Sequence, residues 1–407
     1  MKARPFIAIM FFLAGPVCLS HCSPSSDASN EITKSWTLIL YMDGDNTLEP
    51  DFIESFLQMA QVGSDNNINV LVQFDRSPKY DQRYGDWTIA NRFYVTQQMT
   101  PTQENAVPDW GDGQGGREVD MANPRTLTDF IVWAVSNYPA RRYAVVIGDH
   151  GTAWMGVCLD ETSGDYWMYL SEVRKALQDA LVPMDLIGFD ACLMATVDAA
   201  WQVKDLGAEV MVGSEASAHG WPWDLILERL VLNPGWGPAD LGTWINDSYY
   251  ERYVTEKAEN RMTHSTLDLR RIEGLAELVS DFSDKAVSGA DFEEVRAAAV
   301  NIRDMVNNTV LYSRAGPDLI HAKGLTTYFA LDRPGPIPEI PDNWQFYTGK
   351  LTPFADAGKW RQFLSAVLSF DPHIDYRIQD ARRALTEDYE DGTIVDMYYF
   401  FGTLANM

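Results

Sequence analysis

The sequence predicts an α/β protein whose central sheet is mostly parallel, and three observations lead there. The chain has 407 residues, 46% hydrophobic and 22% charged, which suits a globular protein of one large domain or two. Short apolar runs such as residues 143–147 (YAVVI) and 185–189 (DLIGF) lack polar alternation. Strands of that kind are covered on both faces, as in parallel sheets. These runs also alternate with segments of helical spacing, the pattern of strands joined by crossover helices.

Taken in order, residues 36–42 (WTLILYM) form a β-rich run that the turn residues Asp43-Gly44-Asp45-Asn46 end. Residues 51–62 place Phe52, Ile53, Phe56, Leu57, Met59 and Ala60 on one helical face. A strand is expected over 68–74 and a more exposed one over 87–95; the Pro-, Gly-, Asn- and Asp-rich stretch 100–116 reads as a surface loop. Helices at 127–138, 170–181 and 195–203 then alternate with strands at 143–147, 185–189 and 209–212. Beyond 239 the pattern is largely helical, over 239–257, 271–287, 291–306 and 357–369. Strands near 265–269 and 324–331 and a Pro-rich break at 334–338 interrupt it. The implied organisation is an export signal (1–22), a polar tether (23–34), an α/β core (35–255) and a mainly helical C-terminal region packed on it (256–407).

The amino terminus reads as an address rather than as structure. Lys2 and Arg4 precede an apolar run from Phe6 to Leu19 that Gly15 and Pro16 break, too short and interrupted for a membrane span. Leu19-Ser20-His21-Cys22 followed by Ser23-Pro24-Ser25-Ser26-Asp27 resembles a bacterial lipobox and tether, although His21 stands where a small residue is usual. Acylation of Cys22 is the expectation, with ordinary cleavage near Ser26-Asp27-Ala28 as the competing reading. Either way the chain is read as exported: lipid-anchored in the bacterial cell envelope, or otherwise secreted. No other stretch approaches eighteen uninterrupted apolar residues.

There are 58 Asp and Glu against 32 Lys and Arg, a formal charge of −26. That field repels phosphate backbones and anionic lipid, so nucleic acid is excluded as a partner and membrane contact is confined to the N-terminal lipid. Cationic substrates are attracted. Four cysteines are too few for a disulfide scaffold, and only Cys158 and Cys192 lie beyond the leader. They either pair with each other or leave one thiol free for chemistry.

Sequence context favours chemistry. The strand at 143–147 runs into Gly148-Asp149-His150-Gly151, and that at 185–189 into Asp190-Ala191-Cys192. Ligands of open α/β sheets bind at the carboxyl ends of strands. An imidazole and a thiol at one such edge suit a Cys–His hydrolase, in which the imidazole takes the thiol proton and sulfur attacks an acyl carbon. Cys192 also opens the helix expected at 195–203, whose dipole would favour the thiolate. The backbone N–H groups of Gly151 and Cys192 are candidate oxyanion donors.

These motifs resemble the clostripain-type cysteine peptidases, in the wider clan of caspases, gingipains and legumain. The shared signature is an apolar strand ending His-Gly, here His150-Gly151, and a later one ending Ala-Cys, here Ala191-Cys192. Leu40-Tyr41-Met42-Asp43-Gly44-Asp45-Asn46, Glu118-Val119-Asp120-Met121, Asp160-Glu161-Thr162-Ser163-Gly164 and Gly213-Ser214-Glu215 with Gly220-Trp221-Pro222 extend it. The resemblance implies a caspase-like fold, His150 as proton shuttle, Cys192 as nucleophile, protein or peptide substrates, and cleavage after a basic P1 side chain with Asp190 at the pocket floor. The second acidic residue that family members often carry before this Gly-Trp is missing, since Ala218 and His219 stand there. Family members are also often nicked between histidine and cysteine; here that interval offers only Arg174 and Lys175, inside an expected helix.

Other roles remain open at this level. Asp190 could cap the following helix, and Asp149 could orient the imidazole or merely end its strand. Cys158 reads as a structural thiol. Trp110, Trp154, Trp221 and Trp223 suit a core better than a cleft. His219, His264, His321 and His373 show no zinc spacing, and Asp43-Gly44-Asp45-Asn46 reads as a turn rather than a calcium loop. No metal site is expected and no cofactor is required; some relatives respond to calcium, which no residue pattern locates. Two rival functions are a non-catalytic surface binding protein on a peptidase scaffold and a thiol acyl hydrolase or transpeptidase acting on other peptides.

Overall fold

The structure, a computed structural model, describes residues 34–108, 110, 116–164, 167–320, 322–328 and 352–368. Cys22 with the export segment and tether, the Pro-rich break, His321 and His373 lie outside the described residues.

In chain order the elements are β1 (Lys34–Gly44), α1 (Glu49–Val62), β2 (Ile68–Arg76), β3 (Asn91–Tyr94), α2 (Pro124–Asn137), β4 (Ala140–Gly148), β5 (Gly156–Leu159), β6 (Trp167–Tyr169), α3 (Leu170–Asp179), β7 (Leu186–Asp190), α4 (Val197–Val203), β8 (Val210–Gly213), α5 (Trp223–Leu232), α6 (Pro238–Tyr250), β9 (Thr263–Asp268), α7 (Ile272–Ser288), α8 (Phe292–Thr309), β10 (Val310–Ala315), α9 (Pro353–Ala357) and α10 (Trp360–Leu368). Eight strands make one sheet in the order β10-β9-β8-β7-β4-β1-β2-β3. Its inner strands β8, β7, β4, β1 and β2 are parallel; β3, β9 and β10 are antiparallel to their neighbours. Strands β5 and β6 form a separate hairpin.

The continuous apolar runs are explained by a core on each face. Ile39, Tyr41, Val145, Ile147, Ile187 and Phe189 pack under α2, α3, α4 and α7. Leu38, Leu40, Met42, Val146 and Leu186 pack under α1, α5 and α6. With period two along each strand, odd-numbered and even-numbered residues of β1, β4 and β7 go to opposite faces. Helix starts follow local chemistry: the Asn123 side chain accepts from Arg125 N ahead of Pro124, and Thr196 Oγ1 accepts from Ala199 N. Among the described residues no helix is long and apolar enough to cross a membrane.

A buried ion pair ties α1 to the end of β2. Arg76 Nε donates to Glu49 Oε1 at 2.6 Å, both side chains fully enclosed. The remaining guanidinium nitrogens donate to the carbonyls of Arg83 and Asp81, and Glu49 Oε2 accepts from Asp81 N. Each guanidinium nitrogen and each carboxylate oxygen thus has a partner, which is what a buried charge pair requires.

Several expectations are corrected. The strand expected at 324–331 is, among its described residues, only an isolated bridge from Thr326 to Thr196; the chain returns instead along β10, directly after α8. The exposed strand at 87–95 shrinks to β3, because the Trp87 indole turns inward to donate to Pro101 O. The helix expected at 239–257 is α6 followed by a π-helical turn, Glu251–Glu256, that buries Tyr253. Helix α5 and the β5–β6 hairpin are additions to the expected elements, although α5 does carry helical spacing, with Trp223, Ile226, Leu227 and Leu230 on its buried face.

Candidate active site

Register places the two reactive side chains. Gly148 of β4 pairs with Asp190 of β7, and Asp149 N donates to Asp190 O at 3.3 Å. His150 and Cys192 each lie two residues beyond that matched pair, at the carboxyl edge of adjacent parallel strands. Both line one pocket of about 350 Å³, together with Asp190, Ala218, His219 and the α1 residues Asp51, Glu54 and Ser55.

Cys192 sits in a turn, not at a helix start. Helix α4 begins at Val197 with Thr196 as its cap, so no helix dipole acts on the sulfur, which corrects the sequence expectation. The turn is held by Leu193 at φ +67°, a conformation disfavoured for leucine, and is pinned by Leu193 N to Ala216 O and Ala195 N to Ser214 O. Sγ accepts from Ala218 N at 3.2 Å and faces Ala218 O at 3.5 Å. Burial pushes this thiol above its ordinary value, and the Ala218 N–H opposes the shift. Cys158 and Cys192 are both free, so the disulfide alternative falls; Cys158 is enclosed in the core, as a structural thiol should be.

The His150 Nε2 lies 3.0 Å from Thr47 Oγ1. Burial lowers the imidazole below its ordinary value, while Glu161 and Asp51 pull it upward. A raised thiol and a lowered imidazole describe an uncharged resting pair, and no hydrogen bond joins the two among the described residues. Asp149 does not orient this ring: its carboxylate accepts from Asn46 Nδ2 at 2.7 Å and from Leu159 N. The side chain that does touch the imidazole, Thr47, is not singled out by the sequence; its signal is its place in the turn that ends β1.

Asp190 is not a helix cap. Its carboxylate accepts from Trp221 N at 3.0 and 3.1 Å and from Trp223 Nε1 at 3.3 Å, and it lines the pocket. Burial pushes it up to about 7, against the pull of those donors. Trp110, Trp154, Trp221 and Trp223 are all buried as core residues. His219 lines the pocket wall, hydrogen-bonded to Glu259 at 2.5 Å and stacked on Tyr253. Gly151 bridges Val157, and a Cβ there would fall 2.2 Å from the Cys192 carbonyl oxygen. Arg174 and Lys175 lie inside α3, paired with Asp205 and Asp179.

One group of metal-capable side chains stands out among the described residues: Asp43, Asp149 and Cys158, all buried, with donor atoms within 4.8 Å of one another. Of these, Asp149 also lines the pocket of His150 and Cys192.

A mostly parallel eight-stranded sheet carrying a thiol and an imidazole at neighbouring strand ends has the layout of the Cys–His class of hydrolases. The chain belongs to the clostripain family, whose model matches residues 40–329. Clostripain of Hathewaya histolytica is 25% identical over 243 residues, which cover 53% of this chain and 46% of that relative, so the match spans under half of the relative's length. In fold the chain is similar to a secreted C11 cysteine protease of Bacteroides thetaiotaomicron solved with an irreversible peptide inhibitor, with TM-score 0.60, 18% identity, and 80% of this chain and 99% of that one covered. It is also similar to an inactive zymogen C11 protease of Parabacteroides distasonis, with TM-score 0.53, 20% identity, and 70% and 85% covered. The expected family and mostly parallel sheet are both found.

The Gly151 contact generates a prediction. Gly151→Ala forces the two strand-end backbones apart, since backbone cannot yield as a flexible side chain does. Peptide hydrolysis should fall by at least about 100-fold, the scale of a roughly 1 Å displacement. Activity within twofold of wild type in a folded G151A protein would show that the close approach is unnecessary.

Proposed function

We propose that the chain is an exported cysteine endopeptidase acting through Cys192 and His150, with preference for a basic P1 residue. The observation that carries this reading is the convergence of a thiol, an imidazole and a buried carboxylate on one pocket. Cys192 Sγ attacks the scissile carbonyl carbon as its proton passes to His150. The imidazolium then gives that proton to the leaving amine, leaving a thioester. Water, deprotonated by His150, opens the thioester and restores the thiol. The N–H groups of Gly151 and Cys192 are the proposed oxyanion donors, supported by the direct packing of Gly151 on the Cys192 backbone.

Asp190 is proposed to receive the P1 guanidinium or ammonium. A buried carboxylate already held by two N–H donors, one of them shared between both oxygens, is oriented, and an incoming cation completes its neutralisation. With no acid at Ala218 or His219, the other acids in the pocket lining are Asp51 and Glu54 of α1, of which Glu54 is paired with Arg83, and Lys257 lines the same pocket. Export by the N-terminal segment and acylation of Cys22 complete the proposal, supported by the charged and apolar order of residues 2–22.

Cys192→Ala should reduce peptide hydrolysis by at least about 10⁴-fold while leaving the thermal midpoint unchanged; wild-type turnover by that variant refutes the nucleophile. Since the Asp190 carboxyl is raised to about 7, it is ionised above that pH and neutral below. The ratio of kcat/KM for an Arg substrate over its uncharged citrulline analogue should therefore fall by roughly tenfold from pH 8 to pH 6. Asp190→Asn should abolish that dependence, and a flat ratio in the wild type removes Asp190 from the pocket role. Cys22→Ser should move the protein from the membrane to the soluble fraction of its bacterial host; retention on membranes after a salt wash contradicts acylation.

A further inference from the structure

The catalytic edge continues past Cys192 into a second cavity. Strand β8 is parallel to β7, so the segment after Gly213 leaves at the edge that carries Cys192. Strand β9 is antiparallel to β8 and β10 to β9, so the residues entering Thr263 and those leaving Ala315 meet at that same edge. Together they enclose a cavity of about 450 Å³ whose lining includes Ser217, Ala218, His219, Glu259, Arg261 and Asp318. Ala218 and His219 also line the pocket of Cys192 and His150, so the two cavities share a wall.

Hydrogen bonds between the three segments hold the cavity in shape. Thr263 Oγ1 accepts from Glu215 N and Ala216 N, both at 3.0 Å, which ties the chain after β8 to the start of β9. Gly316 N donates to Met262 O at 2.7 Å and Asp318 N to Asn260 O at 3.1 Å, which ties the end of β10 to the same place. A Cβ at Gly316 would fall 2.2 Å from Asn260 O, an approach that glycine alone permits.

Sheet order decides which part of a substrate reaches this cavity. His150, on the β4 side of Cys192, gives its proton to the leaving amine, so residues beyond the cut lie toward β4. The acyl half then runs the other way, across the ends of β8, β9 and β10. In an extended chain alternate side chains share a face and stand about 6.6 Å apart, while neighbouring strands of the sheet are about 4.8 Å apart. With P1 directed to Asp190 at the end of β7, the P2 side chain points away from the protein. The P3 side chain descends between the ends of β8 and β9, where the cavity opens. Charge sets what it accepts. The lining holds two carboxylates, Glu259 and Asp318, against one guanidinium, Arg261. His219 Nε2 engages one Glu259 oxygen, and the Asp318 carboxylate makes no ion pair or side-chain hydrogen bond among the described residues.

We propose that this cavity is the P3 subsite and takes a lysine or arginine side chain, with Asp318 and Glu259 as its specificity-determining carboxylates. The proposal rests on the peptidase reading and extends it from a single basic residue to a spaced pair, at P3 and P1.

Fluorogenic amides with arginine at P1 test it: acetyl-Lys-Gly-Arg against acetyl-norleucine-Gly-Arg, the same exchange at P2, and acetyl-Arg alone. At low salt kcat/KM should favour lysine at P3 by roughly fivefold, the upper scale of one exposed ion pair, and the advantage should shrink at about 1 M salt. The P2 pair reads the general attraction of a chain of charge −26, and should differ less than the P3 pair. Asp318→Asn should bring the P3 ratio close to that of P2, and Asp318→Lys should make lysine at P3 unfavourable, while the preference for arginine over citrulline at P1 persists in both. Cleavage of acetyl-Arg without a lysine preference at P3, or with an equal one at P2, overturns the subsite and leaves the peptidase reading standing. A P3 preference that survives in the D318N/E259Q double variant overturns the role of the two carboxylates. Cleavage of none of these amides removes the peptidase reading and this inference with it.

Discussion

Everything at the functional edge follows from one register: Met42, Gly148 and Asp190 stand side by side on β1, β4 and β7. A shift of one residue in any of these pairings would turn each strand's side chains to the opposite face. The thiol and imidazole would then no longer share a pocket. Apolar burial on both sides holds the register, since a slip would carry Phe189 and Leu186 away from their own cores. The buried pair of Glu49 and Arg76 sets where α1, which supplies one wall of the pocket, meets the end of β2.

That same edge separates two kinds of charge. Toward α1 and α5 lie Asp190, His150 and Cys192, each shifted by burial toward its uncharged form. Desolvation of that sort strengthens interactions with a charged substrate once it enters. Toward α2 and α3 lie the buried carboxylates of Asp43 and Asp149, with donor atoms within 4.8 Å of Cys158 and with no ion pair among the described residues. The polypeptide between the faces is short. Asp149 and His150 are consecutive, as are Asn46 and Thr47, so whatever settles those carboxylates also settles the imidazole's surroundings.

The sequence makes the strands legible because YAVVI and DLIGF are apolar without alternation, and their ends legible because His-Gly and Ala-Cys follow directly. Three things escape it. The surroundings of Cys192 depend on the segment after β8, which reaches the sulfur through Ala218 N across 26 residues of chain; no local pattern encodes such a contact. The missing helix start at Cys192 arises because the chain first needs a strained turn at Leu193 before α4 can form. The edge strand β10 was misplaced for a related reason, since antiparallel edge pairing leaves little mark on composition.

The central claim is that Cys192, and not Cys158, is the reacting sulfur and that His150 controls it. Labelling with a peptidyl acyloxymethyl ketone bearing arginine at P1, followed by peptide mapping, addresses it most directly. The account predicts one adduct per chain on Cys192, greatly slowed in a His150→Ala variant, with Cys158 untouched. An adduct on Cys158, or labelling of Cys192 at the same rate without His150, would contradict it.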